Sequence, residues 1–198
     1  MEILKKAKVL EPSNPNRSTA LFGGKSSGIL NWNDLPYPHF HKHRQNIRKL
    51  FWSGSEVDMV PDSKQFPTLS EETRQAFLKI IGLLSTLDGP QTDMAHKISD
   101  YSTDPSVKAI MATISDQEGE HNLSYSLVLS SLVGLDTQKE TFEVGRADEI
   151  VLERNERIAE VYNNFAQHPT LSNVLKALVY TSIPVSYTHL TLPTIYSV

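Results

Sequence analysis

The sequence predicts an all-α helical bundle, and three stretches carry that prediction. From Asp104 to Val133, the residues Val107, Ile110, Met111 and Ile114 recur at three- and four-residue steps, the period of one helix face. Phe77, Ile81 and Leu84 form a similar stripe after Thr68, and Val151, Ile158, Val161 and Phe165 form another further on. The first stripe also carries chemistry. Its next positions are Glu118, His121 and Tyr125, before Val128 and Leu132 resume the apolar pattern. An acid, an imidazole and a phenol thus fall on the face that should be buried, where an unpartnered carboxylate costs several kcal/mol. Glu-x-x-His projecting inward from a helix is the half-site pattern of carboxylate-bridged di-metal bundles.

The totals set the frame. A chain of 198 residues, 39% hydrophobic and 21% charged, is long enough for one domain with a substantial core. A net charge of −4 gives no electrostatic reason to expect nucleic acid or an anionic membrane as partner. The longest apolar runs are too short and too interrupted to span a bilayer. The opening MEILKKAKVLEPSNPN has paired lysines but lacks the apolar centre of a secretory signal, so a cytoplasmic location is the default expectation. With no cysteine, the chain has no disulfide, thiolate metal site or thiol nucleophile.

In chain order, residues 1–38 read as irregular, because Pro12, Pro15, Gly23, Gly24, Gly28, Pro36 and Pro38 break every period. Gly24-Lys25-Ser26 imitates the end of a phosphate-binding loop, but the first glycine of that motif falls on Thr19, so no nucleotide site is read there. His39, His41 and His43 would share one face of a strand. The following QNIRKLFW favours a helix instead, over which they fan out as a solvated cluster. That helix is expected from about Phe40 to Trp52, with Ile47, Leu50 and Phe51 inward, Arg44 and Lys49 outward, and Trp52 as a large closing anchor. SGSEVDMVPDSKQFP follows as a loop.

The next helix is expected to start at Thr68, where Thr68 and Glu71 make a capping box. Asp88 continues its stripe, but Gly89-Pro90 follow at once. Asp88 is therefore either a buried acid facing Glu118 and His121 or simply the last residue of its helix. Asp93 and His96 have i, i+3 spacing but lie beyond that break among polar residues, and are expected to be exposed. Asp104 as N-cap and Pro105 at the first helical position start the central helix, and Gly134 ends it. A polar connection is expected to about Ala147, then an amphipathic packing helix without assignable chemistry to about Gln167. His168-Pro169 stops it, and Thr170 or Ser172 caps a last helix. That helix, NVLKALVYTSI, is apolar nearly all round and is expected to lie centrally.

The run Asp116 to Ser126, DQEGEHNLSYS, together with LNWNDLPYPHF and LFWSGSEVDM upstream, resembles the small (β) subunit of class I ribonucleotide reductase over roughly residues 28–183. The resemblance implies a ferritin-like bundle that holds two iron or two manganese ions beside a tyrosine oxidised to a stable radical. It implies a homodimer in the whole protein. It also implies a separate large (α) subunit, to whose cysteine the radical passes so that ribonucleotides are reduced to deoxyribonucleotides. A small subunit without cysteine fits that division of labour. Matched position by position, Asp88 is implied as the first carboxylate ligand, Glu118 as the bridge between metals, and His121 as the ligand of the first metal. Tyr125 is implied as the radical site and Trp52 as the relay that moves an electron between the metal site and the subunit surface. Oxygen donors and imidazole suit iron and manganese. Taken alone, Tyr125 reads as a core tyrosine with a bonded hydroxyl; its spacing from Glu118 and His121 reverses that.

The sequence also departs from the family pattern. The segment from Asp88 to Glu118 is about one residue shorter than the resemblance implies. The family needs another Glu on a following helix, a second Glu-x-x-His, an acidic partner for the tryptophan and a C-terminal docking tail, and none of these is found. VSYTHLTLPT, residues 185–194, matches what a transposase-type sequencing adapter gives when read as codons. The expected organisation is thus an irregular segment over 1–38, a partial ferritin-like di-metal domain over 39–183 and a non-native adapter-derived tail over 184–198. With half its ligands, this chain is expected to be inactive by itself. Two other readings are a related di-metal oxidase or oxygenase and a non-catalytic helical metal-storage or scaffold module. A pure oxidase has no use for a radical store and relay, and storage needs an assembling shell that the sequence does not spell.

Overall fold

The computed structural model describes residues 2–6, 8 and 11–181; the expected adapter-derived tail lies outside the described residues. The helices are α1 (Pro38–Lys49), α2 (Val60–Gln65), α3 (Glu71–Tyr101), α4 (Pro105–Leu132), α5 (Leu135–Ala147), α6 (Glu149–Gln167) and α7 (Leu171–Tyr180). Single 3₁₀ turns occupy Gly54–Glu56 and Phe66–Thr68. Among the described residues the only β pairing is two isolated bridges, Ile3 with Thr170 and Phe22 with Ser102. The expected all-α class is what forms. The chain divides into two compact units, with boundaries inside α3 after Gln91, inside α4 after Asp116 and inside α6 after Arg157.

One unit comprises Met1–Phe51, Thr92–Asp116 and Ile158–Val198. Its core joins Met94, Ala95 and Ile98 of α3, Val107, Ile110 and Met111 of α4, Ile158, Tyr162 and Phe165 of α6, and Val174 and Ala177 of α7. Val107, Ile110 and Met111 of the α4 stripe, and Ile158 and Phe165 of the α6 stripe, are thus core residues, with Ile114 and Val161 packed against them. The irregular N-terminal segment is tied down by backbone bonds. Thr103 N–H donates to the Leu21 carbonyl and Leu4 N–H to the Pro169 carbonyl, each at 2.8 Å. Asp104 caps α4 as expected: its Oδ1 accepts from Ser106 N–H at 2.9 Å, and its buried carboxylate also accepts from the hydroxyls of Ser18 and Ser106. Thr170 caps α7 through Asn173 N–H.

Three expectations in this unit are corrected. Leu50 and Phe51 do not face inward: α1 stops at Lys49, and these residues, 75% and 49% exposed, have left the helical period. Arg44 is not simply outward, because its Nε donates to Thr113 Oγ1 at 3.1 Å and its guanidinium lies over the Trp32 ring. Helix α7 is not apolar core all round. Val174 and Ala177 are buried, whereas Leu171, Leu175 and Val179 are exposed on its other sides. The histidines do fan out over α1, with His39 and His43 exposed and the His41 ring against Trp32.

The second unit comprises Trp52–Gln91 and Gln117–Arg157. Phe66, Leu78, Ile81 and Leu129 form its core, with Phe77, Tyr125, Val128, Leu132 and Phe142 packed against it. The segment expected as a loop folds into α2 and the two 3₁₀ turns. Pro61 and Pro67 sit in first turns, where a missing N–H costs nothing. The cap of α3 is Ser70, whose Oγ accepts from Thr73 N–H at 3.2 Å, rather than Thr68, whose hydroxyl donates to the Gln65 carbonyl.

Helix α3 does not end at Asp88 but runs on through Gly89 and Pro90 to Tyr101. Pro90 cannot donate to the Thr86 carbonyl, a fault of about 3 kcal/mol. Leu87 before it and Met94 after it are both buried, and each such side chain contributes roughly 1.5–3 kcal/mol. Burial on both flanks therefore outweighs the break. The polar connection expected before Ala147 is instead α5, which lies against α3 backbone to backbone. A Cβ on Gly145 would run into the Gly82 carbonyl, and one on Gly82 into the Thr141 carbonyl. Lys79 of α3 pairs with Asp148 just past α5 at 2.7 Å.

Candidate metal centre

Four side chains converge where α3 and α4 run together in the second unit. Asp88 comes from α3 and is fully buried. Glu118, His121 and Tyr125 come from successive turns of α4, as their i, i+3, i+7 spacing requires. One ligand atom from each of Asp88, Glu118 and His121 lies within 4.8 Å of the others. His121 Nδ1 faces both acids, 3.3 Å from Glu118 Oε2 and 3.7 Å from Asp88 Oδ2. The Tyr125 hydroxyl donates to Asp88 Oδ2 at 2.9 Å. Of the two readings open for Asp88, the buried acid facing the Glu-x-x-His is the one formed.

Electrostatics follow from that crowding. Burial, then the charge of Asp88 and the hydrogen bond to it, then Glu118, push the Tyr125 phenol well above its ordinary value of 10.0. Tyr125 therefore keeps its proton at any physiological pH. Two carboxylates facing one imidazole in a largely buried site favour a cation, because like charges brought together out of water repel unless something neutralises them. Oxygen and imidazole donors suit a divalent transition metal, so the residues present fit such an ion.

Trp52 is not the core anchor that its size suggested. It is 44% exposed, and its ring stacks beside that of His121 with centroids 6.1 Å apart and planes inclined by 27°. The loop bearing it is fixed to α4 by Glu120, whose Oε1 accepts from Ser53 Oγ at 3.0 Å and from Gly54 N–H at 2.7 Å. No local pattern singles out Glu120. It lies beside the buried stripe, and its partners are 66 and 67 residues away. Asp93 and His96 are exposed, as expected, and Asp93 is paired with Lys97.

The family described as "Ribonucleotide reductase, small chain" matches residues 29–188. The ribonucleoside-diphosphate reductase subunit beta of Halalkalibacterium halodurans is 44% identical over 180 residues, which cover 91% of this chain and 52% of that protein. A crystal structure described as a class I ribonucleotide reductase from Bacillus halodurans superposes with a TM-score of 0.82 at 44% identity, covering 91% of this chain and 57% of that one. The ribonucleotide reductase R2 subunit from Clostridium botulinum gives a TM-score of 0.83 at 29% identity, covering 90% and 56%. The chain thus spans about half the length of these relatives.

Proposed function

The chain belongs to the ribonucleotide reductase small-chain family and has its all-α, ferritin-like fold, and from that premise we propose that it carries the radical-bearing half of a metal site in a ribonucleoside-diphosphate reductase β subunit. Asp88, Glu118 and His121 would hold a first metal ion, and Glu118 would also serve a second. Tyr125 is the proposed radical site. The observation that carries this reading is the bond from the Tyr125 hydroxyl to Asp88 Oδ2, which ties the phenol to a metal-ligand candidate at 2.9 Å.

A pair of iron or manganese ions, bound and supplied with oxygen, provides the oxidising power at such a site. The residues do the rest. Because its phenol resists ionisation, Tyr125 must give up its proton together with an electron, and Asp88 Oδ2 is positioned to take that proton. The neutral tyrosyl radical would then be left on a half-buried ring packed against the core of Phe66, Leu78, Ile81 and Leu129, which limits its contact with water. Trp52, stacked beside His121 and partly exposed, is the proposed path for an electron between the site and a docked large subunit. In the whole protein, the large subunit would carry the substrate and a second copy of the small subunit would complete a homodimer.

The test is electron paramagnetic resonance after loading with iron or manganese and exposure to oxygen. A chain extended to the full length of its relatives is expected to give a tyrosyl radical, and Tyr125→Phe is expected to abolish it. An undiminished radical in Tyr125→Phe would overturn the assignment. The 198-residue chain has no further Glu-x-x-His for the second metal and is expected to give no radical.

A further inference from the structure

We propose that Glu120 is a positioning residue, latching the Trp52 loop onto α4 and so holding the indole against the His121 ring. The inference rests on the relay role proposed above for Trp52 and adds the group that sets its geometry. Two donors on consecutive residues, Ser53 Oγ and Gly54 N–H, converge on the single oxygen Glu120 Oε1 at 3.0 and 2.7 Å. Bonds to a carboxylate are about twice as strong as neutral ones. The next residue back in the chain is Trp52, and the next residue along α4 is His121. The latch and the stacked rings are therefore neighbours on both strands of the contact.

The backbone is shaped for this approach. A Cβ on Gly54 would run into the Ser124 side chain, one turn beyond Glu120, so only glycine lets the loop come this close to α4. Ser53 is tied in twice, since its Oγ also accepts from Ser55 N–H at the start of the 3₁₀ turn. Stacking on one imidazole is otherwise a weak hold for a ring that is 44% exposed. Electron transfer between rings falls off steeply with their separation, so a residue that fixes the separation governs the relay without touching the reacting atoms.

The experiment reads the position of Trp52 directly. The chain's only other tryptophan is Trp32, so a Trp32→Phe background leaves Trp52 as sole emitter and a Trp52→Phe background leaves Trp32 as the control. In the metal-free chain, Glu120→Ala is expected to raise the acrylamide quenching constant of Trp52 about twofold, as a ring 44% exposed becomes fully exposed. Trp32 should not respond. Glu120→Gln keeps an acceptor oxygen and should restore most of the protection. Unchanged quenching of Trp52 in Glu120→Ala would overturn the proposal. If Glu120→Ala loosens the whole chain and Trp32 rises in step, Ser53→Ala decides, because it leaves α4 intact. A selective rise at Trp52 in that variant supports the latch, and no rise overturns it. Neither metal nor radical takes part, so failure of the latch is distinguishable from failure of the relay.

Discussion

Tyr125 is half-buried beside a carboxylate that accepts a hydrogen bond from its hydroxyl, and this has a consequence for stability that needs no metal. Its phenol is raised above 10.0 in the folded chain and returns to that value on unfolding. A group that binds its proton more tightly when folded contributes stability that is complete below the unfolded value and is lost as pH rises past it. Urea unfolding of the metal-free chain at about pH 8 and about pH 11 should therefore show wild type losing more stability than Tyr125→Phe over that interval. Parallel losses would show that Tyr125 ionises freely. The residues of this site were legible from the sequence to different depths. Glu118, His121 and Tyr125 announced themselves because local helical spacing put them on an apolar stripe. Asp88 was ambiguous because glycine and proline follow it, and only its packing decides. Glu120 was silent, since its role depends on a loop far away in the chain.

Helices α3 and α5 carry the clearest tests at the level of elements. Their backbones approach at Gly82 and Gly145, so Gly145→Ala should destabilise the chain by roughly 1–3 kcal/mol in urea unfolding, the usual cost of forcing extra volume into a packed contact. No loss would mean that this contact is looser than described. Pro90 is the opposite case. Restoring the missing donor with Pro90→Ala should stabilise the chain by up to about 3 kcal/mol, and a loss of stability would show that the break itself is needed. Both features explain where sequence reading failed. A polar surface and two small residues facing α3 made α5 look like a connection, because close backbone packing leaves no apolar stripe to find. Gly89-Pro90 are strong local stop signals, and burial of Leu87 and Met94 on either side outweighs them. The caps at Asp104 and Thr170 were readable because a cap bonds within its own few residues.

At the scale of the whole molecule, the all-α fold was legible from periodicity, and the family from a run of residues on α4 with support upstream. The match to the small-chain family covers residues 29–188, yet the chain spans 52% of its Halalkalibacterium relative. Among the described residues, no helix is long and apolar enough to cross a membrane. The proposed metal site of Asp88, Glu118 and His121 is open to direct measurement on this chain. Free Mn(II) gives a strong electron paramagnetic resonance signal that binding broadens away, so a titration counts the ions taken up. Wild type is expected to remove about one equivalent from solution, because these residues form one three-ligand site. Asp88→Ala, Glu118→Ala and His121→Ala should each abolish that uptake, while Glu120→Gln keeps it. Uptake by all three alanine variants equal to wild type would show that these residues do not hold the ion.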